Sequence, residues 1–152
     1  MAPVQFRVRP MRESDLADWF RLRKLLWEDG DDEEHKAEML EILGHSESQL
    51  VLVAELDDGR RIGFLEASIR PFVEDCQTDC VGYLEGWYVE PEFRRFGIGQ
   101  TLVDNAERWA IQAGCTEMAS DAEFDDEASI AAYEKLGYKE TSRLVHLRKD
   151  LV

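Results

Sequence analysis

The chain has 152 residues, 44% of them hydrophobic and 10% aromatic, and its 33 Asp and Glu against 18 Lys and Arg give a formal net charge of −15 at pH 7. One domain spanning residues 1–152 fits that length, and such a chain buries about 68–70% of its unfolded surface, enough for a core that needs neither metal nor disulfides. The charge argues against nucleic acid and anionic membrane surfaces and favours a cationic small molecule, while apolar runs of only a few residues argue against a membrane span.

In chain order, Val4, Phe6 and Val8 alternate with Gln5, Arg7 and Arg9, which predicts a half-buried strand that Pro10 interrupts. Ser14 is the expected cap of a helix carrying Leu16, Trp19, Phe20, Arg23, Leu26 and Trp27 on one side. After Gly30 a second helix is expected over Glu33 to Leu43, with Gly44 as a left-handed stop. Leu50 to Glu55, the turn Asp57-Asp58-Gly59, and Ile62 to Ile69 read as an antiparallel hairpin ended by Pro71. Phe72 to Cys80 is polar and irregular, and Tyr83 to Val89 offers a further strand before Pro91. Ile98, Leu102, Val103, Ala106, Trp109, Ala110 and Ala113 keep helical spacing from Gly97 to Gly114. Glu117 to Ser120 reads as a short strand, Asp126 to Leu136 as a helix stopped by Gly137, and Tyr138 to Lys149 as a final strand. The order β-α-α-β-β-β-α-β-α-β is a mixed α/β arrangement. Three cysteines, Cys76, Cys80 and Cys115, without a C-x-x-C pair, and no basic-then-apolar opening segment, point to a reduced cytoplasmic setting.

The informative stretch is Tyr83 to Gln100, a strand joined to a long helix by the turn Arg94-Arg95-Phe96-Gly97-Ile98-Gly99. Amides at a helix start, in a turn whose two glycines carry no Cβ, form an anion cradle that the helix dipole strengthens. Arg94 and Arg95 add positive charge at its mouth in an otherwise acidic protein. The bland alternative is that Gly97 and Gly99 merely shape a turn. A dinucleotide fingerprint is excluded by Leu102 where a third small residue belongs, and a P-loop by Gly99-Gln100-Thr101, which lacks the lysine.

Arg94 to Gly99 resembles the R/Q-x-x-G-x-G/A signature of the GCN5-related N-acetyltransferases, and Tyr133-Glu134-Lys135-Leu136-Gly137-Tyr138 is similar to that family's Y-E-K-x-G-F segment. More narrowly, Leu26-Trp27 followed by acids, Tyr83-Leu84-Glu85-Gly86, Glu117 to Asp121, and Leu136 to Thr141 resemble the aminoglycoside 6'-N-acetyltransferases. The resemblance implies the GNAT fold, a mostly antiparallel central sheet flanked by helices. It implies acetyl-CoA as cosubstrate and transfer of acetyl to the 6'-amine of aminoglycosides such as kanamycin, giving antibiotic resistance, usually in a homodimer. The coenzyme contacts it implies are Trp87, Tyr88, Val89, Arg94, Arg95, Phe96, Gly97, Ile98, Gly99, Gln100 and Asp126, the last standing where the family usually has asparagine.

An amine with a lysine-like pKa near 10.4 costs roughly 4.6 kcal/mol to deprotonate at pH 7, and a positioned base supplies about 3–5 kcal/mol. The resemblance puts Glu85 in that role, which requires burial beside other acids to strengthen a weak carboxylate base; otherwise Glu85 binds the ammonium as an ion-pair partner. It also implies that the Val89 N–H stabilises the thioester oxygen, from a strand that bulges in this family. Tyr133, a phenol protonated at pH 7, either donates to the departing thiolate or packs in the core with Ile130 and Leu136.

Six acids lie within Glu28 to Glu34 and six within Glu117 to Glu127, with no Lys or Arg in either run. Most are solvated surface, and Asp121 is the best candidate for touching the acceptor because it follows a strand. Trp27 and Phe72 offer flat walls for sugar rings, with core packing as the alternative for Trp27. Asp121-x-Glu123-x-Asp125 lacks the Gly and Glu of a calcium loop, and His35, His45 and His146 show no ligand spacing, so no metal is expected. Two other functions remain open at this stage: acetylation of a polyamine or protein amine, and a non-catalytic coenzyme A-binding module.

Overall fold

A computed structural model describes residues 3–152, which divide into two compact units, 3–120 and 121–152. The first unit holds five strands, β1 (Phe6–Pro10), β2 (Gln49–Leu56), β3 (Arg61–Arg70), β4 (Val81–Val89) and β5 (Glu117–Ser120), and three helices, α1 (Leu16–Leu26), α2 (Asp32–Leu43) and α3 (Ile98–Gln112). The sheet order is β1-β2-β3-β4-β5, antiparallel except for the parallel β4–β5 pair, which α3 connects. One face packs Val51, Phe64 and Tyr88 against Trp19 and Leu22 of α1 and Met39 of α2. On α3, Ile98, Leu102, Val103, Ala106 and Ala110 are buried. A sheet covered on both sides explains why Val51 to Leu56 is buried without a polar alternation. Each fully buried Leu, Ile or Phe contributes about 1.5–3 kcal/mol.

Several local expectations change. β1 lies two residues later than the alternation suggests and takes in Pro10, an edge position where a missing N–H costs no ladder bond. Ser14 does not cap α1. It lies within a 3₁₀ turn, Glu13–Asp15, that leads into the helix, and the residue before Leu16 is Asp15. α2 is capped by Asp31, whose carboxylate accepts from the Glu34 N–H at 2.8 Å, and its stop at Gly44 is right-handed, with φ −75°.

Asp15 is fully buried and joins three elements: Arg9 donates from Nη1 and Nη2 (2.7 and 3.0 Å), Arg61 from Nε (2.9 Å) and the Arg12 N–H at 2.7 Å. Arg9 in turn reaches Glu55 at 3.1 Å, so β1, β2 and β3 converge on one charge cluster.

In the second unit, α4 (Glu127–Lys135) is capped by Asp126, whose carboxylate accepts from the Ser129 N–H (3.1 Å) and hydroxyl (2.8 Å). Those bonds hold the Asp126 carboxyl below the usual carboxylate range. Gly137, at φ +95°, follows the helix end, and the Tyr133 and Tyr138 rings meet edge-on at 5.7 Å. The expected strand from Tyr138 to Lys149 is not formed: residues 138–152 belong to no ladder, and Leu144, Val145, Leu147 and Leu151 are exposed. An alternating pattern becomes a strand only where a neighbouring strand accepts its backbone bonds.

Burial alone would raise the Asp15 carboxyl, but the bonds from Arg9, the Arg12 amide and Arg61 outweigh it and hold it at about 2. The folded value lies below the unfolded 3.8, so the stabilisation is complete above pH 4 and is lost as pH falls through 2. Asp15→Asn is expected to cost about 3–5 kcal/mol at pH 7 by stranding two cations. The gap from the wild-type chain should narrow between pH 4 and pH 2 in denaturant titrations.

Candidate active site

β4 carries the centre of the site because its two neighbours release it at different points. Its parallel pairing with β5 runs from Val81↔Glu117 to Leu84↔Ser120 and stops. Its pairing with β3 slips between Glu66 and Ala67, which oppose Gly86 and Leu84, leaving Glu85 as an extra residue in a bulge. The bulge shifts the strand's phase. Tyr83 and Glu85 share a face before it, and Gly86 and Tyr88 share that same face after it, as their contacts with Arg70, Trp27 and the α1–α2 core require.

Beyond the bulge, the Glu90 N–H donates to Ile62 O at 2.8 Å, which makes 62/90 a hydrogen-bonded pair. By alternation Phe64/Tyr88 is bonded and Gly63/Val89 is not. The Val89 N–H and C=O therefore point away from β3, toward the edge that β5 has left. The Val89 carbonyl accepts from Arg94 Nε at 2.7 Å, and the Arg94 guanidinium lies 5.2 Å from the centre of the Tyr88 ring. Arg94 is thus tied back to β4, while Arg95 is exposed at the turn.

Arg95 and Gly97 have positive φ, 69° and 83°, on either side of Phe96, and such alternation of backbone hand gathers amides into an anion-binding concavity. The Ile98, Gly99 and Gln100 amides open α3 with no intrahelical carbonyl to bond. The two glycines serve different ends. Gly97 supplies the left-handed conformation, and a Cβ there meets nothing within 4 Å; a Cβ on Gly99 would lie 2.6 Å from the Trp87 ring. Ile98 is buried, so only its backbone faces the turn, and the Gln100 side chain donates to Asp104 at 2.9 Å. This amide-lined turn fits a diphosphate.

On the α1–α2 face a cavity of about 670 Å³ is lined by Trp27, Glu34, Glu38, Glu41, Glu66 and Glu85, among others. Glu34, Glu38 and Glu41 follow helical spacing on α2, and Glu66 and Glu85 come from the sheet. Trp27 lies over Gly86, where a Cβ would be only 2.3 Å from the ring, and meets Phe64 edge-on at 6.0 Å. It therefore both packs and lines the cavity.

Beneath it lies a polar network that the sequence reading missed. Arg23, 1% exposed, is paired with Glu66 and Glu38, and Trp19 Nε1 donates to Glu66 at 2.8 Å. Arg23 Nε donates to His35 Nδ1 at 3.2 Å, which leaves His35 Nε2 to carry the proton and donate to Trp27 O at 3.1 Å. The Arg23 guanidinium also sits 4.7 Å from the Trp27 ring centre. Burial pushes the Glu66 carboxyl up, against the opposing pull of Arg23 and Trp19. The available signal was a glutamate inside the apolar run of β3.

Glu85 is not buried among acids, as its role as a base had required. Its side chain is 30% exposed, accepts from Ser68 Oγ at 2.7 Å, and pairs with Arg70. Phe72, just past β3, is 72% exposed. Asp121, Asp126 and Tyr133 belong to the second unit, where Asp121 is exposed and Asp126 caps α4. Within the acid run that ends there, Glu117 accepts from the Gln77 and Thr78 amides and the Thr78 hydroxyl, so it fixes the loop before β4.

A sequence profile of the Acetyltransferase (GNAT) family matches residues 15–138. The chain is 43% identical over 146 residues to an aminoglycoside N(6')-acetyltransferase type 1 of Klebsiella aerogenes, covering 95% of this chain and 96% of that one. It resembles the crystal structure of an aminoglycoside antibiotic 6'-N-acetyltransferase from Acinetobacter baumannii, with TM-score 0.89, 43% identity, and coverage of 97% and 99%. It also resembles the structure of AAC(6')-Iy in complex with the bisubstrate analog CoA-S-monomethyl-acetylneamine, with TM-score 0.89, 37% identity, and coverage of 96% and 99%.

Gly86→Ala is expected to push Trp27 off β4, at a cost of about 1–3 kcal/mol. A lowered melting temperature together with red-shifted tryptophan emission would show it.

Proposed function

The chain belongs to the GNAT acetyltransferase family and is an acetyl-CoA-dependent N-acetyltransferase, and we propose that it acetylates the 6'-amine of aminoglycosides and so confers resistance to them. The observation that carries the acceptor assignment is the cavity beside Glu85. Five carboxylates line it with the Trp27 ring, a chemistry suited to an amino sugar with several ammonium groups, and its volume is that of a small-molecule site. The relatives' names and the bisubstrate complex support the same acceptor. Phe72 adds an exposed ring two residues beyond Arg70, and Asp121 is taken as an acceptor contact because it directly follows β5. The profile match runs through both units and supports one acetyltransferase domain.

Acetyl-CoA supplies the activated acetyl group when bound. The turn from Arg94 to Gln100 holds its diphosphate, with Trp87 and Tyr88 beside the pantetheine path and Asp126 contributing through α4. The Val89 N–H donates to the thioester oxygen, a role supported by its direction away from β3. Glu85, which lines the cavity on the strand that leads to Val89, takes the amine's proton directly or through a water. Tyr133 returns a proton to the departing thiolate, on the strength of the Tyr133 to Tyr138 resemblance.

The enzyme works as a homodimer, which the exposed Leu144, Val145, Leu147 and Leu151 support as a surface for a second copy. It works in the cytoplasm, consistent with three free cysteines; no helix among the described residues is long and apolar enough to cross a membrane.

Release of coenzyme A with kanamycin, spermidine and a lysine peptide offered separately tests the assignment. Turnover of kanamycin is expected; turnover of spermidine alone would replace the acceptor, and none with any amine would leave a binding module. Glu85→Gln is expected to lower kcat at least tenfold with acetyl-CoA affinity unchanged, and an unaltered kcat removes Glu85 as base.

A further inference from the structure

We propose that Cys80 and Cys115 form an oxidation site: a small-molecule disulfide joins their sulfurs into a bond that clamps β4 to β5 at the closed end of the pair.

The two thiols come from different elements that only the fold brings together. Cys80 immediately precedes β4, and Cys115 stands between α3 and β5, 35 residues further on. Their Sγ atoms lie 2.8 Å apart, so a bond of about 2.05 Å needs each sulfur to move by only about 0.4 Å. The backbones on both sides are already fixed. The Cys115 N–H donates to Ala110 O at 3.0 Å as α3 ends through Gly114, at φ +95°. One residue after Cys80, Val81 is paired with Glu117, whose carboxylate also accepts from the Gln77 and Thr78 amides.

Val81↔Glu117 is the first pair of the β4–β5 ladder, and Leu84↔Ser120 is the last. A bond at Cys80 therefore closes the root of a fork that opens beyond Leu84, toward Val89. β5 is the shortest strand among the described residues and lies at the sheet edge with one neighbour, so it gains most from a covalent tie.

The three thiols are not equally reactive. Burial, with Cys80 adding to it, pushes the Cys115 thiol up to about 11, and burial beside Glu117 and Asp75 also raises Cys76. Cys80 is half-buried where Cys115 is 4% exposed, so Cys80 reacts first. Its thiolate attacks one sulfur of the small disulfide and expels the other as a thiolate. Cys115 then gives its proton to solvent and attacks Cys80 Sγ, expelling the second small thiolate. Two protein thiols lose two electrons and two protons, and the disulfide gains both and leaves as two thiols. The part of the Cys115 shift that comes from Cys80 disappears in the mixed disulfide, which eases the second step.

The test incubates the reduced chain with oxidised glutathione. The three free thiols should fall to one, and peptide mapping should join Cys80 to Cys115. The melting temperature should rise by about 5–15 °C, the effect of closing a loop of this length. Acetyl-CoA affinity by calorimetry should stay within twofold, since the bond lies at the end of β4 away from Val89. Cys76→Ser should behave as the wild-type chain, Cys80→Ala should abolish the rise, and Cys115→Ser should hold glutathione on Cys80 as a mixed disulfide. Where a variant does not fold, mapping of the wild-type chain decides. A bond that uses Cys76, or three thiols persisting, overturns the site. A bond between Cys80 and Cys115 that leaves the melting temperature unchanged, or that abolishes acetyl-CoA binding, overturns its role as a clamp at the closed end.

Discussion

Between Glu66 and Ala67 the β3–β4 ladder admits one surplus residue, Glu85, and from Leu84 back toward its start β4 is also fixed to β5. A strand held on both edges up to Leu84 and on one edge afterwards has backbone groups to offer without losing its place in the sheet. The surplus residue costs a ladder position and twists the strand, but it puts Glu85, Gly86 and Tyr88 on the same face. Without it, Glu85 would share a face with Trp87, which packs against α3 at Gly99. The carboxylate on the cavity side and the indole on the α3 side are thus consequences of one slip in register.

Two charge clusters support this arrangement in different ways. The one at Asp15 binds the 3₁₀ turn to three strands, so its removal is felt as lost stability. The one at Arg23 packs beneath Trp27 and fixes the direction of the α1–α2 link through His35. Buried ion pairs repay their desolvation only when every donor and acceptor is met. Both clusters satisfy that condition, since among the described residues no buried side-chain nitrogen or oxygen lacks a partner. What the Arg23 cluster contributes is orientation: it holds an indole and two glutamates around one cavity.

The acidity of the chain takes on a local meaning in this setting. A net charge of −15 draws cations toward the whole surface, with a screening length of about 8 Å at physiological salt. The cavity concentrates that field on three glutamates of α2 and two of the sheet. Of the two from the sheet, Glu85 is answered by Arg70 on an open side and Glu66 by the buried Arg23.

Much of this protein was written locally. The period of apolar residues marked α3, the hairpin signal Asp57-Asp58-Gly59 placed β2 against β3, and Arg94 to Gly99 marked the turn that opens α3, because each depends on neighbours within a few residues. Gly97 belongs there too, since a left-handed backbone is a local demand. The reasons for Gly99 and Gly86 were not legible, because the atoms that forbid a Cβ belong to Trp87 and Trp27, which reach those glycines only in the folded chain. The alternation of Tyr138 to Lys149 predicted a strand, yet strand formation needs a partner ladder, which sequence pattern cannot supply. Glu66, Arg23, His35 and Arg70 lie up to 47 residues from the groups they bond, so their roles came from pairings of β3 with β4 and of the sheet with α1 and α2. Composition set the sign of the charge, and tertiary contacts decided which charges meet, because Coulomb and hydrogen-bond energies depend on distance in space rather than on separation along the chain.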